Sequence, residues 1–468
     1  MWEAVTRHAV ADTGRPGALA DIDAVHLVHC MSWAYDDPAG RLAQRLGIDA
    51  GHQQVSVLAG TAGQRMVNAA AERMLAGQSE LALIVGGEAL ATRRVAADSG
   101  TPLGWSYPAM ASELPPIDMD EWFWPTELAH DVIRPTLTFA ALDTARRARL
   151  GIGPEDYRQG EAALLERFSA VAAANDHSWF PIRRSAAEIA TVTPVNRIIS
   201  SPYTKYMVAI MDVDMAAGLL VATHRKADEL GIPLDRRIYL RGWSFGRDAT
   251  HVAERPFLHR SPAMAAVARD ALCHAGVSID DVAHFDLYSC FASSVLFATD
   301  ALGLHEKDSR GFTVAGGLPY HGGPSSNYTT HAIAAMVQRL REDGQGFGVV
   351  SGVGMHMTKH VWGVYGVEPG PVTPPDYAKV QSDIDRYPLR PVVTDGTVDS
   401  QGTIACYSVT HDRSGTPVSA LVVADLPDGS RAYARSTDGD VLEELGQGER
   451  VGRGVRLRPG HGLVNELV

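Results

Sequence analysis

Apolar runs alternate with helix-period segments along most of the chain. Residues 4–14, AVTRHAVADTG, carry apolar positions at helical spacing and end on Gly14, a residue suited to a helix C-cap. Residues 266–276, AVARDALCHAG, repeat the pattern with five of eleven positions identical. Each segment passes through an acidic turn into an apolar strand, DIDAVHLVHC in one case and IDDVAHFDLYSC in the other. Two such units, 262 residues apart, predict a duplicated α/β fold. Further elements follow the same alternation. They are a helix over Met66–Ala76 closed by Gly77, a strand over Leu81–Val85 ending at Gly86-Gly87, and helices over Phe291–Leu302 and His331–Arg341. A turn at Gly344–Gly346 and a strand over Phe347–Val350 complete the set. Apolar strands alternating with helices predict buried, mainly parallel sheets. A strand over Arg237–Trp243 precedes the repeated helix in the second half, and the first half has no counterpart. The repeat therefore predicts that one N-terminal strand is missing, most simply through a truncated or misassigned start.

Residues 94–200 break the alternation with Trp, Pro, Tyr and an acidic patch at Asp118–Glu121. They read as an insertion in the first half, with a helix over Pro154–Ala173 in a lid or cap. The main pattern resumes in the apolar stretch Met207–Val221. A Pro-rich linker is predicted over 368–395. Beyond it, short strands at Thr403–His411, Pro417–Leu426, Arg431–Arg435 and Val451–Leu457 predict a β-barrel of about 80 residues. The expected domains are 1–228 with its insertion at about 94–200, then 229–370, then the barrel at 388–468.

Composition narrows the function classes. With 45% hydrophobic and 21% charged residues, the chain can build real cores. A net charge of −13 with no basic stripe argues against nucleic acid. In the last segment only Tyr407 and Tyr433 could stack on bases, and Arg450, Arg453, Arg456 and Arg458, alternating along one strand, read as a solvated or interdomain face. Four scattered cysteines (Cys30, Cys273, Cys290, Cys406) fit reduced thiols better than disulfides or zinc. Neither a signal peptide nor a membrane-spanning run is evident, so a cytoplasmic protein is expected. His356, Lys359 and His360 lack an acidic or thiol partner for a metal and are read as a solvated polar turn.

The order of motifs resembles the thiolase superfamily. The matching stretches are GTAGQRMVNAAAERMLAG (60–77), IVGGEALATR (84–93), NRIISSPYTKYMVAIMDVDMAAG (196–218), DLYSCF (286–291), GGLPYHGGPSSNY (316–328) and SGVGMHM (351–357). With the appended β segment, the chain is most similar to thiolase-like proteins of type 1, which carry an additional C-terminal domain of OB-like character. The resemblance covers nearly the whole chain. It implies two βαβ-rich halves in a five-layer αβαβα sandwich and acyl-CoA thioesters as ligands, with the site where two helix N-termini meet.

Thiolase chemistry needs a thiolate, favoured at a helix N-terminus. The resemblance puts that cysteine seventeen residues before the helix-closing Gly77, where this chain has Gly60. No cysteine lies between Cys30 and Cys273. Tyr288 stands where the family has Asn or His. It reads equally as an oxyanion donor or general acid and as a tyrosine packed at a strand end. At the family's histidine position stands Gly323, with His321 two residues earlier, either swung into the site or without a role. The second family cysteine falls near Ser351. Cys290 is read as a buried, inert thiol beside the site. The backbone at Gly60, Thr61 and Gly63 opens a helix and offers N–H groups to an anion or carbonyl. Gly323 and Gly354 would let a ligand approach the backbone, and Asn327 either faces the pocket or caps the next helix.

Two functions remain open at this level. One is an acyl-CoA or lipid-binding member of the acetyl-CoA acetyltransferase family without cysteine-dependent acyl transfer. The other is an enzyme cleaving a β-hydroxyacyl-CoA by retro-aldol chemistry through Tyr288 and His321. Neither calls for a metal or a cofactor beyond CoA or acyl-CoA as ligand. The chain is expected as a monomer or homodimer, with a small partner protein in the second case.

Overall fold

The computed structural model describes residues 1–110 and 122–468; the predicted acidic patch at Asp118–Glu121 lies outside them. The first half runs α1 (Trp2–Asp12), β1 (Ala24–Leu27), α2 (Pro38–Leu46), β2 (His52–Val55), α3 (Ala62–Leu75), β3 (Leu81–Ala89) and α4 (Leu90–Ser99). The insertion holds α5 (Pro125–Ala129), α6 (Pro135–Leu150), α7 (Pro154–Ala173), α8 (Ala186–Ala190), β4 (Ile198–Ser200) and β5 (Tyr203–Thr204). The first half then resumes with β6 (Asp214–Ala222), followed by α9 (His224–Glu229). The second half runs β7 (Tyr239–Arg247), α10 (Pro262–Ala275), β8 (Val282–Asp286), α11 (Ala292–Leu302), α12 (Tyr328–Asp343), β9 (Phe347–Gly354), β10 (Lys359–Gly366) and α13 (Tyr377–Asp385).

Two four-stranded sheets form, in the orders β2-β1-β3-β6 and β7-β10-β9-β8. The repeated helices α1 and α10 lie on the outer faces, and α3 and α12 touch both sheets from the central layer. Both repeats close as their glycines require, Gly14 at φ +69° and Gly276 at φ +66°. The central strands are apolar on both faces because helices cover both: β1 is buried at every position and β3 at all but its last. Strand β3 runs on through Gly86-Gly87, and α4 leaves it without a break.

The stretch 368–395 is not a bare linker. Asp376 caps α13 through the Lys379 N–H, and Val380 and Ile384 are buried. A Cβ on Gly246 would stand 2.8 Å from Ile384, so the helix is packed on β7.

Beyond it come β11 (Val392–Val393), β12 (Ser400–His411), β13 (Pro417–Asp425), β14 (Arg431–Ser436), α14 (Gly439–Gly446), β15 (Gly454–Pro459) and β16 (Asn465–Leu467). Pairing runs β12-β13-β14-β16-β15 and back to β12, closing a five-stranded barrel. Only Arg456 and Arg458 of the four arginines lie on β15. Arg456 pairs with exposed Asp399 and Arg450 with exposed Glu444, a solvated set. Tyr407 and Tyr433 are buried, so neither presents a stacking surface. The barrel docks on the insertion. Thr144 of α6 donates to the Tyr407 carbonyl (3.0 Å) and accepts from its N–H (3.1 Å), Arg147 reaches Glu449 at 2.8 Å, and Tyr433 donates to Glu127 at 2.6 Å.

Candidate functional site

The N-termini of α3 and α12 meet between the sheets. Neither is capped by its own N-cap side chain, although Thr61 and Asn327 stand at the cap positions. The approach is close enough to demand glycine. A Cβ on Gly63 would lie 2.5 Å from the hydroxyls of both Thr329 and Thr330. Ser326 accepts from the Ala59 N–H (3.0 Å) and Thr329 from the Gln64 N–H (3.2 Å), tying the two helix starts together.

Gly60 sits just before α3. The space its side chain would take is filled by the Tyr288 hydroxyl and the Val353 carbonyl, both within clashing distance of a Cβ there. Tyr288 is buried, and that burial pushes its hydroxyl well above the ordinary phenol range. Its backbone N–H donates to Ser351 Oγ at 3.0 Å, so Ser351, within β9, ties the chain just after β8 to that strand. The Cys290 thiol is pushed up to about 12 by burial, which keeps it protonated at neutral pH.

His321 is buried and lowered to about 4, first by desolvation and then by His177. Its Nδ1 lies 3.2 Å from Ser178 Oγ, and its Nε2 lies 3.4 Å from His331 Nδ1. No hydrogen bond or ring contact joins His321 to Tyr288 among the described residues. Each instead meets Tyr328 edge-on, at 6.1 Å and 5.7 Å between ring centroids. The two expected proton-transfer partners thus share a neighbour, Tyr328, and make no direct contact in the described residues.

Asn327 is 1% exposed, yet both atoms of its amide lack a hydrogen-bond partner in the described structure. The amide lies over Gly86, whose missing side chain makes room for it. Gly323 donates to the Ile210 carbonyl at 2.9 Å and Gly354 accepts from Thr358 at 3.2 Å, both within packed turns. Gly316, at φ +115°, abuts Ala172 of α7, with 2.6 Å between a built Cβ and Ala172 Cα.

One anchor escaped the sequence reading. Asp286 is buried and accepts from Thr313 Oγ1 (2.8 Å), Val314 N (3.0 Å), Ala315 N (3.0 Å) and the Tyr328 hydroxyl (3.1 Å). Ser289 accepts from Leu318 N at 3.1 Å. The DLYSCF block therefore holds the glycine-rich loop in place. The available signal was a charged residue inside a buried-strand pattern. The MHMTKH turn departs from expectation in the other direction. His356 and His360 are 4% and 0% exposed, and His360 faces Asp248 at 3.2 Å, so this is interior rather than solvated. Among the described residues no cluster of His, Cys, Asp or Glu could hold a metal ion, and no helix is long and apolar enough to cross a membrane.

Two sheets enclosing two crossed helices, with a closed barrel appended, define a thiolase-like fold. Residues 379–461 match the thiolase-like protein type 1 additional C-terminal domain. The whole chain superposes on the crystal structure of a monomeric SCP2-thiolase-like protein type 1 from Mycobacterium smegmatis. The TM-score is 0.87 and the identity 30%, covering 100% of this chain and 95% of that one. A stretch of 176 residues is also 32% identical to 3-ketoacyl-CoA thiolases of Enterobacter sp. (strain 638) and Escherichia coli O9:H4 (strain HS). That match spans 34% of this chain and 36% of those relatives, about a third of their length. The chain belongs to the thiolase-like protein type 1 family.

Proposed function

We propose that this chain binds an acyl-CoA, or a related acyl ligand, at the crossing of α3 and α12 without forming a covalent acyl adduct. The observation that carries the reading is the Gly60–Tyr288 pair. The position expected for the nucleophile has no side chain, and a phenol and a carbonyl occupy the volume a cysteine would need. Binding in place of acyl transfer follows from what is left there. Thr61 and Gly63 lie at a helix start whose dipole favours a carbonyl oxygen, although Thr329 already accepts from the Gln64 N–H there. The unpaired Asn327 amide offers a further donor and acceptor, since a buried amide left without partners costs about 1–3 kcal/mol. Acyl-CoA as the ligand class is drawn from the relatives named 3-ketoacyl-CoA thiolase. The barrel's seat on the insertion favours a monomer, as the Mycobacterium smegmatis protein is described. Retro-aldol chemistry is less favoured, because Tyr288 and His321 make no hydrogen bond or ring contact with each other among the described residues.

Calorimetric titration with CoA and with medium-chain acyl-CoA should give saturable binding. Intact-protein mass spectrometry after acetyl-CoA treatment should show no mass gain. Absence of binding at millimolar ligand, or thiolysis of a 3-ketoacyl-CoA, would overturn the proposal.

A further inference from the structure

Two rings meet where the loop leading to α10 passes the turn that follows α13. Phe257 and Tyr387 are half-buried and pack edge-on, 5.3 Å between ring centroids and 77° between planes. The Arg260 guanidinium covers the Phe257 ring at 3.8 Å and reaches the Tyr387 ring at 5.8 Å. Arg386 stands over the Tyr387 ring at 5.3 Å. The Arg390 N–H donates to the Glu254 carbonyl at 2.9 Å, which fastens the turn to the loop.

A guanidinium stacked on a ring keeps the N–H groups at its edge available to an anion. Arg260, Arg386 and Arg149 of α6 are exposed, and none forms an ion pair among the described residues. Asp385, next to Arg386 in the chain, accepts from Gln381 instead, at 2.8 Å. His259 records the resulting field. Its ring lies 5.9 Å from that of Phe257, and burial, Arg260 and Arg149 lower its proton affinity in that order. The carboxylate that opposes them, Asp300 of α11, is itself held by Arg146 at 2.7 and 2.9 Å. Positive charge is thus grouped without an answering partner in a chain of net charge −13.

We propose that this patch docks an acidic segment of a partner protein, with carboxylates on Arg149, Arg260 and Arg386 and an apolar side chain on Leu389. Leu389, in the same turn, is 54% exposed. Phosphate alone would answer the guanidinium groups and leave that leucine in water. Aromatic residues and arginine are the types enriched at protein interfaces. The patch shares no residue with the α3–α12 crossing and does not rest on the reading given for that site.

The probe is a blocked peptide of glutamates interrupted by leucines, added to the full chain. Saturable binding is expected, weakening as salt rises. Bound carboxylates favour the protonated His259, so binding should tighten as pH falls from about 7.5 to 5.5, above the range in which glutamates protonate. His259→Gln should remove that rise and keep the binding seen at the upper pH. Arg260→Gln should weaken binding about ten-fold. Arg260→Lys should restore only part of it, because lysine keeps the charge without the stacked fork. Acyl-CoA binding should be the same in all three variants. The proposal is overturned by no saturable binding at millimolar peptide, or by full binding in Arg260→Gln. It is equally overturned if inorganic pyrophosphate binds as tightly as the peptide, or if the chain self-associates and Arg260→Gln abolishes the association, which would make the occupant a second copy.

Discussion

At three points of the central crossing the first half supplies space and the second half fills it; at Gly363 of β10 the exchange runs the other way, with Gln64 of α3 in the space. Gly60, Gly63 and Gly86 lack the side chains whose volumes are taken by Tyr288, by Thr329 and Thr330, and by Asn327. A duplicated fold would otherwise place equivalent groups on both sides of the crossing. The complementarity keeps the crossing close-packed where the first half has only glycine. When one partner shrinks to glycine, the other can advance a ring into the gap, and interior density is preserved.

The largest expected effect comes from emptying that gap. Tyr288→Ala should cost about 3–5 kcal/mol, the range for deleting a buried aromatic, measured by denaturant unfolding. A loss under about 1 kcal/mol would mean that the ring is not packed as described. The reverse change, Gly60→Ala, overfills the gap and should cost about 1–3 kcal/mol. In the Tyr288→Ala background that cost should shrink without vanishing, because the Val353 carbonyl still faces the new methyl. Full additivity in this double-mutant cycle would break the pairing of Gly60 with Tyr288.

The smallest effect concerns the buried imidazole of the second half. His321 is lowered to about 4 in the folded chain, so between the ordinary histidine range and pH 4 only the unfolded state takes up its proton. The neutral ring is accommodated fully above about pH 6.5, and stability falls as pH drops through this window. Replacing His321 by Gln should flatten part of that slope in thermal melts between pH 7 and 4.5. An unchanged slope would assign the acid sensitivity to other groups, such as His356, also lowered to about 4 by burial.

The sandwich was legible because its signals are local. Apolar periods, closing glycines and the echo between residues 4–14 and 266–276 mark α1, α10 and the strands after them. Gly60, Tyr288, Gly323 and Ser351 were placed at the crossing or its loops by motif order. What those residues touch was not legible, since the Gly60–Tyr288 contact spans more than two hundred positions and depends on how two helices cross. Asp286 was passed over and His360 misjudged for a related reason. Polarity suggests solvent, and only the folded chain shows Thr313, Val314, Ala315 and Asp248 arranged to receive them. Helix α13 was hidden by the prolines on either side of it.

The seat of the barrel has a consequence for the integrity of the whole chain. Arg147 and Glu127 are buried charges of the insertion whose partners Glu449 and Tyr433 come from beyond residue 400. Severing the last segment would strand the Arg147 guanidinium, whose partners Glu449 and Tyr407 both lie there, and leave Glu127 with only His251 and the Trp124 N–H. The appended module is thus a keystone for the insertion, and the two stand or melt as one unit.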